Sequence, residues 1–270
     1  IAAPYRDEGL EYADLCRPEL LHSDPDLFYG FWGGAYNSYQ SCEPHEGYRI
    51  LRSWCESKNF QVYTSNIDGH FHRMNFPKER VHEMHGCLNR WMCVEEASAD
   101  NNNTLRCELT AAPPGFRFDV DPQTLRIKAA DSIFNADHWF GGGGAKRPAV
   151  LMFGDDRTVH DLMGLDRSCA AYQKWEEEME RAMAASPAAK LVVLELGCGI
   201  HVPSVRVECE EVLTDVLSAC GAGGDGGRAT LIRINPQYPL NPRNGQEATV
   251  SIRAGALEAL QAIEAEMAGI

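Results

Sequence analysis

The stretch Leu191-Val192-Val193-Leu194-Glu195-Leu196 constrains this chain more than any other. An almost unbroken apolar run of strand length, stopping at Gly197-Cys198-Gly199, has no polar face to offer water and belongs inside a covered parallel sheet. A second run, Thr230-Leu231-Ile232-Arg233-Ile234, stops at Asn235-Pro236, and Val205 to Ala219 between the two has helical spacing. Strands joined through a helix-length crossover run parallel. Gln61-Val62-Tyr63-Thr64, ending at Ser65-Asn66, and Ala149-Val150-Leu151-Met152-Phe153, ending at Gly154, read as two more strands of that sheet. Helical stretches fill residues 8 to 60, with loops at Pro18, Asp24-Pro25 and Glu43-Pro44, and return at Tyr172 to Ala185 and Ala256 to Met267. Glu176, Glu177, Glu178 and Glu180 read as a solvated helix face. The expected class is α/β, a parallel sheet with helices on both faces.

Residues 87 to 145 interrupt the alternation with a polar loop at Asp100 to Thr104, a Pro113-Pro114-Gly115 turn and four glycines at 141 to 144. The expected organisation is therefore a sheet domain from residues 1–86 and 146–270 with a small inserted module at 87–145. Its Trp91, Met92, Trp139 and Phe140 could pack within the module or against a partner protein.

A chain of 270 residues, 44% of them hydrophobic, can bury a full core. Its net charge of -14 argues against a general nucleic-acid binder, because a phosphate backbone would be repelled. No apolar run reaches the ~18 residues of a membrane helix, and Ile1 to Arg6 lacks the marks of a leader peptide. Ten cysteines scattered through a long chain suit a reducing, intracellular compartment better than a disulfide framework.

Two elements carry the chemistry: Thr64-Ser65-Asn66-Ile67-Asp68-Gly69, and, one short helix further on, His82-Glu83-Met84-His85-Gly86. Together they resemble the core of the sirtuin (Sir2) family, in which a Thr-(Gln or Ser)-Asn-(Ile or Val)-Asp-Gly loop is followed by a His-Gly pair. The resemblance continues through Arg147 to Asp155, Leu196 to Gly199, and Leu231 to Pro236, and Pro4-Tyr5-Arg6-Asp7 is similar to the end of the family's cofactor loop. Any one motif is weak, since Asn66 to Gly69 alone reads as a turn and His85 alone as a surface histidine.

The resemblance implies a Rossmann-like fold, NAD as cofactor and an acyl-lysine protein or peptide as substrate. It makes His85 the base that activates a ribose hydroxyl, a role suited to an imidazole that exchanges protons near neutral pH. It makes Asn66 and Asp68 the groups that orient the nicotinamide ribose and carboxamide. Tyr5, Arg6, Ser65, Gly197, Cys198, Gly199 and Asn235 would hold other parts of the cofactor, with the glycines admitting close backbone approach. Phe153, Gly154 and Asp155 would meet the substrate, which could add as an extra strand.

Two departures accompany the resemblance. The family's opening strand and Gly-Ala-Gly-x-Ser turn are not in this sequence, and an upstream segment is expected to supply them. The family's zinc ligands are reduced here to Cys93, Cys107 and His138, so loss of zinc is expected, a structural site needing four ligands. An NAD-dependent protein-lysine deacylase is the leading expectation. A degenerate member serving as a structural or interaction subunit stands beside it, as does NAD hydrolysis or ADP-ribosylation on the same fold.

Overall fold

A computed structural model describes residues 2–93, 109–127, 145–220, 227–240 and 248–269. In chain order its helices and strands begin with α1 (Ala3–Asp7), α2 (Tyr12–Leu15), α3 (Leu20–Ser23), α4 (Pro25–Ser41) and α5 (Glu46–Cys55). There follow β1 (Val62–Thr64), α6 (His70–Arg73), β2 (Val81–Glu83), β3 (Gly86–Cys93), β4 (Thr110–Ala111) and β5 (Lys146–Val150). The rest comprises α7 (Arg157–Met163), α8 (Leu165–Ala185), β6 (Leu191–Leu196), α9 (Ser204–Ala219), β7 (Ala229–Ile234), β8 (Thr249–Ile252) and α10 (Ala256–Ala268).

These elements fall into two units, one of Ile1–Glu43, Asn66–Gly69 and Glu83–Arg167, the other of Pro44–Ser65, His70–His82 and Ser168–Ile270. The partition differs from the expected split at 86 and 146. Residues 1–43 and 145–167 group with 83–93 and 109–127 because their apolar faces close one core with β3.

In the second unit the apolar runs behave as their composition dictates. β6 and β7 pair in parallel from Leu191 opposite Ala229 to Leu196 opposite Ile234, and β8 extends the sheet in parallel beside β7. Met179 and Met183 of α8, with Val212, Leu213 and Val216 of α9, close over Ala229 and Leu231. Each such side chain removed from water contributes about 1.5–3 kcal/mol. α5 and α10 meet where Gly47 lies close to Leu260 and where Trp54 donates its indole N–H to Glu264.

In the first unit β3 is the middle strand of an antiparallel sheet ordered β4-β3-β5. Asp24 caps α4 by accepting from the Leu27 amide at 3.2 Å, and Pro25 follows at its first turn, where a missing N–H costs nothing. Two glycines of α4 admit close neighbours. A Cβ on Gly30 would sit 2.1 Å from the Leu125 carbonyl oxygen, and one on Gly33 2.4 Å from the Phe118 ring. Phe28, Tyr29, Trp32 and Tyr36 of α4 pack with Trp91 and Phe118 into the core. Trp91 and Met92 are thus buried within their own unit, whereas Trp139 and Phe140 lie outside the described residues.

The expected strand at Ala149–Phe153 is corrected in place and in partner. It runs Lys146–Val150, antiparallel to β3 with Gly86 opposite Val150, not in the parallel sheet. It ends early because Asp155 captures the Met152 amide at 2.7 Å and the Phe153 amide donates to the Cys16 carbonyl at 2.9 Å. β1 likewise pairs with β2 in a separate two-stranded sheet.

Candidate functional site

β1 ends at Thr64, and the chain turns through Asn66-Ile67-Asp68-Gly69. Gly69 has φ +69°, and a Cβ there would come within 2.5 Å of the Asn89 amide nitrogen and 3.1 Å of the Cys87 sulfur. Only glycine fits without a shift. The loop is fastened to β3 by the Leu88 amide donating to the Ile67 carbonyl at 2.9 Å and by Asn89 Nδ2 approaching the Asp68 carbonyl at 3.5 Å. Asn66 is exposed and Asp68 partly so. Burial raises the proton affinity of the Tyr39 hydroxyl on α4, and the nearby Asp68 carboxylate adds to the effect.

His85 occupies the two-residue turn between β2 and β3 and is half-buried. Its carbonyl accepts from the Leu151 amide at 2.9 Å, which ties the turn to the end of β5. Gly86 has φ +81°, and a Cβ there would lie 2.1 Å from the Ala149 carbonyl oxygen and 2.4 Å from the Met163 methyl. The His-Gly pair therefore sits where two backbones touch. Asn66, Asp68 and His85 are gathered in one unit because their loop is stapled to β3 just beyond His85.

The turn after β5 is built by a buried ion pair that sequence reasoning missed. Arg147 donates from Nη1 and Nη2 to the two carboxylate oxygens of Asp155, both at 2.6 Å, and from Nη2 to the Val150 carbonyl at 2.9 Å. The Asp155 side chain, expected from the resemblance to meet the substrate, is 4% exposed and shapes the turn. Phe153 is 54% exposed beside Gly154 at φ +100°. Tyr5 and Arg6 stand on the short helix α1. Tyr5 is buried with Leu15 and Leu27, its hydroxyl donating to the Leu125 carbonyl at 3.3 Å, while Arg6 is exposed. Burial, opposed by Arg126 and aided by Glu8, pushes the Tyr5 hydroxyl up to about 12.

Ser65 and the remaining candidates belong to the second unit, the one with the parallel sheet, most of them at the carboxyl ends of β6 and β7. Gly197 has φ +69°, and a Cβ on either Gly197 or Gly199 would meet nothing within 4 Å. Burial, with Glu195 adding, pushes the Cys198 thiol up to about 12, so it stays protonated and inert near neutral pH. Asn235 is engaged with the neighbouring turns. Its Nδ2 donates to the Cys198 carbonyl at 2.8 Å and its Oδ1 accepts from the Gln237 and Tyr238 amides at 2.8 and 2.9 Å, so the side chain ties one turn to the next.

Beneath these turns lies a charged cluster that sequence reasoning also missed. Arg233 of β7, 0% exposed, donates to both carboxylate oxygens of Glu195 on β6 at 2.7 Å and to Glu210 of α9 at 2.8 Å. The signal was present: Glu195 and Arg233 each interrupt an otherwise apolar strand run, and they prove to be register partners. Among the described residues no group of three or more His, Cys, Asp or Glu is placed to hold a metal ion. Of the expected zinc ligands only Cys93 falls among the described residues, Cys107 and His138 lying outside them.

Comparison with known proteins follows the same lines. The Sir2 family model matches residues 5–171. Over 145 residues the chain is 32% identical to NAD-dependent protein deacetylase 1 of Geobacillus kaustophilus (strain HTA426), covering 53% of this chain and 47% of that protein. The chain thus spans about half the length of the curated relative it matches. Among solved structures, one described as the structural basis of sirtuin substrate affinity is similar at a TM-score of 0.55 and 13% identity, covering 98% of this chain and 85% of that one. Another, Sir2 with the inhibitor EX-527, 2'-O-acetyl-ADP-ribose and a deacetylated p53 peptide, is similar at 0.54 and 14%, covering 99% and 91%. These likenesses show the fold, a Rossmann-like α/β architecture. With the family model matching more than half of its length, the chain belongs to the Sir2 family.

Proposed function

We propose that this chain works as an NAD-dependent protein-lysine deacylase. The observation that carries the reading is the Asn66–Gly69 loop fastened to β3 beside the His85-Gly86 turn, with glycine required sterically at both positions. A backbone so constrained presents an amide, a carboxylate and an imidazole from one compact unit.

The sheet unit suits a dinucleotide on its own terms. Gly197 and Gly199 leave open space where a Cβ would stand, at the carboxyl ends of parallel strands, where α/β folds hold nucleotides. NAD, when bound, supplies an anomeric carbon from which nicotinamide can leave. Asn66 and Asp68 orient the ribose and carboxamide by hydrogen bonds, and a ring nitrogen of His85 takes the proton of a ribose hydroxyl. Phe153 and Gly154, exposed after β5, offer an edge to an acyl-lysine peptide, with Arg147 and Asp155 holding the turn's shape. Ten cysteines scattered through a long chain suit a reducing compartment.

Calorimetric titration with NAD, followed by assay on acyl-lysine peptides, tests the reading. His85→Ala is expected to bind NAD within about threefold of the unmodified chain and to lose deacylation by roughly 10²–10⁴-fold. Absence of binding heat at millimolar NAD, or a His85→Ala variant of undiminished rate, would remove it.

A further inference from the structure

The segment 235–240 has no regular hydrogen-bond ladder, yet side chains of α9 and β7, together with its own Asn235, hold its backbone. Arg206, in the first turn of α9 with its side chain 8% exposed, donates from Nη1 to the Tyr238 carbonyl at 2.9 Å and from Nη2 to the Leu240 carbonyl at 2.5 Å. Arg233 adds a bond to the Leu240 carbonyl at 3.3 Å. Asn235 holds the other end, binding the Cys198 carbonyl and the Gln237 and Tyr238 amides. Behind Arg206, Glu210 stands 3.7 Å from its Nε and also binds Arg233, which Glu195 grips with two oxygens.

This partition of side chains is the reverse of the ordinary one. Four charged groups are buried where apolar residues would pack, while Tyr238 and Leu240 are 37% and 68% exposed. Buried ion pairs rarely exceed apolar packing in stability, so stability alone gives them no reason to be here. They do fix geometry: a guanidinium fork bound to two carbonyls sets the path of the chain between them. The path so fixed runs beside the open Gly197 turn at the strand ends.

We infer that Arg206 is a positioning residue for nucleotide binding, acting by clamping the 235–240 segment through the Tyr238 and Leu240 carbonyls. The inference rests on the reading that this unit holds NAD, and it adds a residue that touches no cofactor atom itself. Glu210 and Arg233 keep the guanidinium in place, and Arg206→Met still leaves Glu210 paired with Arg233.

The test uses the full chain with ADP-ribose as probe. Arg206→Met is expected to weaken ADP-ribose binding about tenfold or more, the loss of two charge-assisted hydrogen bonds to the segment. It should also speed amide exchange in 235–240 about tenfold and raise KM for NAD, while kcat and the peptide KM stay within about twofold. Arg206→Lys, with the charge but no fork, should fall between the two, and it carries the test if the Met variant fails to fold. ADP-ribose affinity of Arg206→Met within about twofold of the unmodified chain would overturn the inference, as would unchanged affinity of Arg206→Lys where the Met variant does not fold. If the unmodified chain itself binds no ADP-ribose, the deacylase reading falls and takes this inference with it. Normal binding by the unmodified chain with unchanged variants removes this inference alone.

Discussion

At the scale of single residues, Gly86 shows what a motif position is for. The sequence marked it only as the partner of His85. The structure gives it two requirements, a left-handed backbone and contact with the Ala149 carbonyl. Gly86→Ala should therefore cost about 2–4 kcal/mol, the sum of left-handed strain and overpacking, read from a urea melt. A loss below about 0.5 kcal/mol, the usual range of surface changes, would mean that β5 yields to the new methyl. Asp155 teaches the converse. Its place beside Phe153-Gly154 suggested contact with substrate, but Arg147 turns it inward, a partner that no local pattern announced. Asn235 is similar, legible as the residue that ends β7 but not as the tie to Cys198.

At the scale of elements, the long apolar runs were read correctly, and of the short strands β1 was found to within one residue while β2 and β4 were not. β6 spans its expected residues and β7 starts one residue early, whereas β8, four residues of Thr-Val-Ser-Ile, was missed. A strand that short is stabilised by its ladder with β7, not by its own pattern. The acidic run of α8 is also only partly a solvated face. Glu177 and Glu178 are exposed, but Glu176 is half-buried, with the Tyr172 hydroxyl 3.4 Å away. Burial, then the charge of Glu208 on α9, pushes its carboxyl up to about 7, with Glu180 and Asp215 adding and Tyr172 opposing. Because the folded state binds this proton more tightly than the unfolded chain, the resulting stability is full below the ordinary value of 4.5 and lost as pH rises through about 7. Glu176→Gln should therefore leave Tm nearly unchanged at pH ~5 and raise it by about 2–4 °C at pH ~8, roughly 1 kcal/mol after allowance for solvent screening. Equal shifts at both pH values in a thermal melt would place the effect elsewhere than in the Glu176 proton.

At the scale of the whole molecule, ligand linkage is the simplest global readout. ADP-ribose at about a hundredfold over its Kd should stabilise the folded chain by about 2.7 kcal/mol, or roughly 5–10 °C in Tm. The shift should persist in His85→Ala and shrink in Arg206→Met at the same ligand concentration. No shift at millimolar ligand would separate this chain from nucleotide binding. The sequence by itself determined the α/β class, the βαβ crossover around α9 and the order of the family motifs, because apolar runs, helical spacing and glycine stops are local properties of neighbouring residues. Only the tertiary structure decided that β5 pairs with β3, that Asp155 is consumed by Arg147, and that Glu195 and Arg233, 38 residues apart, share one buried site. Those outcomes depend on which groups must satisfy one another once water is excluded, and for the β3–β5 pairing and for Glu195 with Arg233 no window of adjacent residues contains both partners.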